Sequence, residues 1–368
     1  MTRNTSHFWQ AKFKPWDADN PLICSGIVDE THDVKSFFFK PKTPAQFQFI
    51  PGQFITLALP INGEMINRSY TVSSSPARPH TISITVKRQP NGIVSNWLHD
   101  HLKIGDQIDV LPIAGDFSCA LSASSHIADK FLFLSGGSGI TPLMSMSRSF
   151  HDLAENTDIV FVHSARTPAD IIFRQELDLI AFNMPNFRPV FICERINKES
   201  SWAWPVGYLT LDYLKQIAPD FLQREIFTCG PSAYMAAVRA MLISAGFNMQ
   251  HYHQESFSFE VLPSNIKTEI EYKEVQNSHK AATFSVAFTK SGVNVDCAPD
   301  QFVLDAGLAA GLRLASSCRQ GLCGTCKTKL IAGKVDMKHG GGIRQREIDQ
   351  GLFLPCCSKP LSDLIIER

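Results

Sequence analysis

Three cysteines, Cys318, Cys323 and Cys326, stand in the spacing C-x4-C-x2-C, and Cys356 follows after 29 intervening residues. No other feature of the chain constrains its folding as tightly. Two irons bridged by two sulfides need four thiolates, and this is the spacing by which a tight loop and one distant cysteine supply them to a [2Fe–2S] cluster. Gly321 and Gly324 lie between the ligands, where glycine permits the bends that aim backbone N–H groups at sulfur. A zinc site normally pairs two C-x2-C knuckles, and only one is present. Ten cysteines in 368 residues are too sparse for a disulfide scaffold. The first residues carry no signal-peptide core, being interrupted by Arg3, Asn4, Lys12, Lys14 and Pro15, and no apolar run approaches the ~18 residues of a membrane span. The expectation is a cytoplasmic, reducing setting in which clustered cysteines mean metal or redox chemistry.

The length predicts two or three domains. Hydrophobic residues at 44% exclude a disordered or collagen-like chain. Lys plus Arg and Asp plus Glu both number 35, so the chain has no broad electrostatic reason to seek nucleic acid.

Residues 1–20 read as an arm whose Phe8, Trp9, Phe13 and Trp16 pack on the first domain, since Pro15 interrupts a helix. Residues 21–125 read as a small antiparallel barrel. Thr81–Val86 alternates as a half-buried strand does, and Lys35–Lys40, Gln53–Leu59, Arg68–Ser74 and Gln107–Pro112 read as further strands around one helix, Val94–Leu102. Residues 126–257 turn to a β-α-β pattern and a parallel sheet. Its strands are Phe131–Leu134, Ile159–His163, Val190–Cys193 and Glu225–Cys229. Leu143, Met146, Phe150 and Leu153 recur at helical spacing, with Thr141 and Pro142 fitting an N-cap and first position, and a helix after Pro231 buries Met235, Val238 and Leu242. Residues 258–282 read as a linker, and residues 283–368 as a compact module opening with a strand at Thr283–Thr289. The fold class is multidomain: antiparallel β-barrel, α/β parallel sheet, and an α+β module.

Two further strings carry chemistry. Arg68-Ser69-Tyr70-Thr71 lies on a barrel strand. Arg suits a phosphate and Tyr lays its ring against a flat aromatic cofactor, although the string alone equally describes a cross-strand Arg and a core Tyr. Lys87-Arg88 ends the next strand, and Gly92-Ile93-Val94-Ser95 opens a helix, whose N-terminal N–H groups suit phosphate. Gly136-Gly137-Ser138-Gly139-Ile140-Thr141-Pro142 follows a strand and opens a helix as a dinucleotide loop does, but Pro142 occupies the third glycine position of G-x-G-x-x-G. Cys229-Gly230-Pro231 ends a parallel strand, where ligands collect; Cys229 alone would read as a small buried hydrophobe. The pairs His99/His101 and His251/His253 read as surface histidines near turns.

Together these strings resemble the ferredoxin–NADP reductase family, and residues 283–368 resemble plant-type, β-grasp ferredoxins. The ferredoxin likeness rests on Leu304-Asp305-Ala306-Gly307, Ser316-Ser317-Cys318-Arg319 and Pro355-Cys356-Cys357, the last expected on a strand. The resemblance implies that Arg68 holds a flavin phosphate, that Ser69, Tyr70 and Thr71 line the flavin, and that Val86, Lys87, Val94 and Ser95 serve its pyrophosphate. It implies that Gly136, Gly137, Gly139, Thr141 and Pro142 bind the NAD(P)H pyrophosphate and that Cys229, Gly230 and Pro231 lie beside the nicotinamide, Cys229 as catalytic residue. Glu255 and Phe257 resemble the family's segment that approaches the flavin. Ser164 and Arg166 stand after the second parallel strand, where Arg166 suits a 2′-phosphate, whereas the family likeness favours NADH.

The order of barrel, nucleotide domain and [2Fe–2S] module resembles reductases of Rieske oxygenases, of the type serving glycine-betaine demethylation, and the reductase of hybrid-cluster protein. Val335-Asp336-Met337 through Glu347 suggests that likeness. The implied cofactors are FAD, a [2Fe–2S] cluster with ligands Cys318, Cys323, Cys326 and Cys356, and NADH or NADPH. The implied activity passes electrons from NAD(P)H to a partner oxygenase or hybrid-cluster protein. A redox-sensing interaction module and a stand-alone NAD(P)H oxidase are the alternatives.

Overall fold

The computed structural model describes residues 13–110, 112–121, 130–196 and 202–256, and all of 283–368 except 313, 315, 317, 318, 320, 322, 323, 325, 340–342 and 344. Phe8, Trp9, Phe257, Cys318, Cys323 and the expected linker lie outside the described residues. The chain divides into two compact units, residues 1–257 and 258–368.

The first unit opens with a six-stranded antiparallel sheet of β1 (Leu22–Thr31), β2 (Val34–Pro41), β3 (Phe54–Ile61), β4 (Glu64–Thr71), β5 (Ile82–Lys87) and β6 (Gln107–Val110), with α1 (Ile93–His101) between the last two. The strand order is 4-3-6-1-2-5, and an antiparallel bridge from Val72 to Ile84 joins its two edges into a barrel. Phe37, Phe39, Ile55, Leu57, Ile82 and Ile84 fill the interior. Trp16 packs on this core with its ring centroid 5.0 Å from that of Phe47, as expected of the arm.

β5 departs from its expected half-burial. Ser83 and Thr85, the outward members of the alternation, are as buried as Ile82, Ile84 and Val86. The second lobe covers that face, and the hydroxyls are satisfied within a network. Ser73 Oγ lies 3.0 Å from both Ser83 Oγ and Thr85 Oγ1, and Thr85 Oγ1 lies 2.8 Å from Ser36 Oγ. Polar residues can be buried where each finds a partner. β1 lacks a clear sequence signal because Gly26 and a register shift between Cys24 and Gly26 break its alternation.

The second lobe is a parallel sheet of β7 (Lys130–Gly136), β8 (Asp158–Ala165), β9 (Phe187–Cys193), β10 (Glu225–Gly230) and β11 (Tyr252–Ser256), in order 11-10-7-8-9. Helices α2 (Ile140–Asp152) and α3 (Arg174–Asn183) bury Leu143, Met146, Leu177 and Ile180 against one face, with Phe131, Phe133, Phe161 and Phe227. Helices α4 (Leu211–Ile217) and α5 (Ser232–Ser244) cover the other, where Leu214, Val238 and Leu242 meet Leu132, Val160 and Ile226. Leu153, expected in the buried stripe, is exposed because α2 ends at Asp152. β11, in a polar stretch with little periodicity, is recruited by parallel pairing with β10. His251 and His253 are only partly exposed, each bonding one oxygen of buried Glu225 (2.7 and 2.8 Å). His99 bonds the Val86 carbonyl at 2.9 Å rather than facing solvent alone.

The second unit holds β12 (Phe284–Phe288), β13 (Val293–Cys297), α6 (Val303–Ala309), β14 (Thr328–Ala332), β15 (Val335–Met337), α7 (Gln345–Asp349), β16 (Leu352–Phe353), β17 (Ser358–Pro360) and β18 (Leu364–Ile366). The sheet order is 13-12-18-14-16, with β15 and β17 forming a separate ribbon. β12 and β18 pair in parallel, the arrangement of a β-grasp.

Candidate functional site

The nucleotide half of the site is set by the sheet. The chain leaves β7 for one face and β10 for the other, so the carboxyl ends of these neighbouring strands bound the crevice where open α/β sheets take ligands. The loop Gly136–Thr141 and the segment Cys229–Pro231, some ninety residues apart, meet there because Cys229 is in register with Ser135. Gly137 adopts φ +53°, and Gly139 sits so close to β10 that a Cβ would fall 2.3 Å from the Cys229 carbonyl oxygen. Gly139 thus provides the tight helix–strand approach that the missing third glycine would serve, which explains why Pro142 is tolerated.

The helix start differs from the sequence expectation. Gly139, not Thr141, is the N-cap; Thr141 and Pro142 are the second and third residues of α2. A proline is harmless there because first-turn N–H groups have no intrahelical acceptor. The Thr141 hydroxyl donates back to the Ser138 carbonyl at 3.2 Å.

Cys229 is fully buried. Burial, and then the charge of Glu255 beside it on β11, push its thiol pKa well up, so it is a neutral thiol at physiological pH. Across the sheet, register aligns Glu255, Cys229, Ser135 and His163 in one row. Ser135 Oγ lies 2.8 Å from His163 Nδ1, while the buried Nε2 has no hydrogen-bond partner. Burial, with Lys87 adding to it, lowers the His163 pKa to about 3, so the ring is neutral. Sequence reading missed Ser135 and His163 as site neighbours. The usable signal was that Ser135 directly follows one strand and His163 ends the next.

The residues expected to hold the flavin lie on β4. Tyr70 packs its ring on the barrel core, where burial raises its pKa. Leu57 pairs with Arg68, and Thr56 Oγ1 lies 2.8 Å from Ser69 Oγ. Thr71 Oγ1 is buried without a hydrogen-bond partner. A buried hydroxyl left unsatisfied is costly, and a flavin edge would supply what it lacks. At α1 the Ser95 hydroxyl is occupied: it accepts from Gln89 N (3.2 Å) and donates to Gly92 O (3.3 Å). The N–H groups of Ile93, Val94 and Ser95 precede the first α1 bond, Asn96 N to Gly92 O, and offer an anion site. Lys87 reaches Asp33 at 3.1 Å, and Arg166 bonds Asp33 (3.2 Å) and Asp170 (2.9 Å).

In the second unit Cys326 and Cys356 are buried in one core with Leu304, Ala306 and Leu354. The eight described cysteines are all thiols, a donor set that suits iron–sulfur ligation. Arg319, Gly321 and Gly324, which stand among the candidate ligand cysteines in sequence, have φ +54°, +69° and +70°, in the left-handed region. Cys356 and Cys357 lie not on a strand but in a 3-10 turn, Pro355–Cys357. Both are buried. The Cys356 sulfur beside it, and burial, push the Cys357 thiol up; Cys357 Sγ lies 3.6 Å from the Leu354 carbonyl and against Gly321.

Residues 23–118 match the oxidoreductase FAD-binding domain family, 133–240 the oxidoreductase NAD-binding domain family, and 286–361 the 2Fe-2S iron-sulfur cluster binding domain family. The chain is 45% identical over 351 residues to the glycine betaine monooxygenase reductase subunit of Chromohalobacter salexigens, covering 94% of each chain. The chain belongs to the reductase components of oxygenases. This reductase is also 38% identical to the stachydrine N-demethylase reductase subunit of Rhizobium meliloti, over 98% of its own length and 99% of the relative's. Its fold matches phthalate dioxygenase reductase with a TM-score of 0.57 at 24% identity, covering 95% of this chain and 97% of that one. It is an NAD(P)H oxidoreductase with FAD and [2Fe–2S] domains. Among the described residues no helix is long and apolar enough to cross a membrane.

Proposed function

We propose that this reductase draws electrons from NADH and delivers them, through FAD and the [2Fe–2S] cluster, to a Rieske-type oxygenase that demethylates a quaternary-ammonium compound of the glycine betaine class. The end-to-end relation to a glycine betaine monooxygenase reductase subunit carries this reading. It favours an oxygenase over hybrid-cluster protein, and a carrier over a sensor or oxidase. FAD, when bound, would supply the conversion between two-electron hydride chemistry and the one-electron chemistry of a [2Fe–2S] cluster.

The chain's own residues do the rest. The Gly136–Thr141 loop and the N-terminus of α2 hold the dinucleotide pyrophosphate, with Pro142 and Ser164 beside it. Cys229, Gly230 and Pro231 wall the nicotinamide, with Cys229 contributing shape rather than charge. Arg68, Ser69, Tyr70 and Thr71 hold the flavin, and Val86, Lys87 and the α1 N-terminus with Val94 and Ser95 take its phosphates. Glu255 and Phe257 close the flavin side. Cys318, Cys323, Cys326 and Cys356 ligate the cluster. The domains run 21–125, 126–257 and 283–368, joined by a linker at 258–282, and the protein works in the cytoplasm.

Reconstitution tests the reading. Purified reductase with its oxygenase should couple NADH oxidation to formaldehyde release from glycine betaine, and should reduce cytochrome c faster than it makes peroxide. Peroxide as the dominant product, with the oxygenase left oxidised, would mean an oxidase.

A further inference from the structure

Helix α2 leaves the nucleotide loop and runs along the barrel. Ser145, Arg148 and Asp152 are three and four residues apart and so share one face. Each bonds the chain just after the flavin strand. Ser145 Oγ donates to Ser74 O at 2.8 Å, Arg148 Nη1 donates to Ser73 O at 2.6 Å, and Asp152 accepts Arg78 Nε and Nη2 at 2.8 and 2.6 Å.

These three links are unequal. Arg78 is 63% exposed, and ion pairs of that kind hold little. Ser145 offers one neutral bond. Arg148 has every nitrogen engaged: Nε and Nη2 fork onto both oxygens of Glu176 (2.7 and 2.6 Å) while Nη1 reaches Ser73. Its guanidinium carbon lies 4.6 Å above the ring of Phe173, a residue held at φ +60°. The side chain is 13% exposed. A planar fork bonded in this way cannot swing without losing several bonds together.

Hydride transfer demands that donor and acceptor approach within a narrow distance, and a displacement near 1 Å can cost about 100-fold. Here donor and acceptor sites belong to different lobes. The ten residues from Gly139 to Arg148 span about 14 Å of helix, joining the dinucleotide loop to the flavin strand's exit. We propose that Arg148 is a positioning residue for hydride transfer, fixing the distance between nicotinamide and flavin by clamping α2 and α3 to Ser73. The inference rests on the reductase reading. Arg148 acts through Ser73 and the helix, and it does not serve cofactor retention.

The test uses the full-length holoprotein. Arg148→Met should retain both cofactors and reach saturation at an NADH concentration near that of the parent, while its flavin reduction at saturating NADH slows roughly 10- to 100-fold. A second readout needs no turnover. Tetrahydro-NADH, which cannot give up hydride, should produce a weaker charge-transfer band in Arg148→Met at full occupancy, because that band reports stacking of the two rings. Arg148→Lys keeps one bond to Ser73 and should recover part of both signals. Glu176→Gln keeps the scaffold and carries the same test should Arg148→Met not fold. Parent-like reduction and band intensity in the variants would overturn the inference. So would loss of FAD in step with thermal stability and no recovery in Arg148→Lys, which marks a purely structural role. A parent protein that neither NADH nor NADPH reduces would defeat the reductase reading instead.

Discussion

At the scale of single residues, environment rather than identity sets the chemistry. Cys229 is fully buried beside Glu255, so it remains a thiol and offers shape rather than charge. Cys229→Ser should slow flavin reduction severalfold with both cofactor spectra intact, since it alters geometry rather than retention. Because no thiolate forms, the ratio of mutant to parent rates in stopped-flow should stay flat between pH 6 and 9; a ratio that climbs with pH would mean that Cys229 ionises. Arg166 illustrates the opposite lesson. In the sequence it is a candidate hook for a 2′-phosphate, yet Asp33 and Asp170 hold it. NADH should therefore be preferred over NADPH by at least roughly tenfold in kcat/KM, and Asp170→Asn should narrow that gap by loosening Arg166. An unchanged ratio in the variant would remove Arg166 from nucleotide selection. The motif residues at the strand ends were legible because glycine, proline and cysteine are chemically particular. Ser135 and His163 were not, because only strand register brings them beside Cys229.

At the scale of elements, alternation located most strands but not what covers them. β5 reads as half-buried, and only the packing of the second lobe makes its polar face interior. β11 carries almost no local signal and owes its form to its neighbour β10. One buried cation ties several elements together. Arg224, just before β10, forks onto Asp158 of β8 and Asp220, and reaches the Phe131 carbonyl of β7 at 3.2 Å. Burial alone would raise the Asp220 pKa, but bonds from Arg224 and Lys130 outweigh it and bring it to about 2. A carboxyl lowered on folding stabilises the fold above its unfolded pKa, near 4, and that contribution fades as pH falls toward 2. Arg224→Met should destabilise the first unit by about 1–3 kcal/mol, since it removes the fork from Asp158 and leaves Asp220 with Lys130 alone, and should partly flatten its acid-unfolding limb below pH 4. Urea titrations across that range check both; an unaltered limb would separate Asp220 from Arg224.

At the scale of the whole molecule, the two units divide the labour, and their variants should separate accordingly. Cys356→Ser should abolish the cluster and electron export while NADH still reduces the flavin. Cys357→Ser should keep a normal cluster spectrum. The interval from Cys326 selects Cys356, although the strand expected there gives way to a 3-10 turn in which both cysteines are buried. Electron paramagnetic resonance of the reduced proteins decides between them, and reversed behaviour would shift the ligand by one residue. Domain order was legible from motif order alone, whereas the sheet connections were not, because pairing partners lie far apart in the chain. β18 is one such connection. It occupies the centre of its sheet, between β12 and β14, and the main chain of Arg368 accepts bonds from Lys290 and Ser291. A proteolytic cut just before Leu364 would therefore spare all four candidate ligand cysteines and still remove the strand that β12 and β14 both pair with.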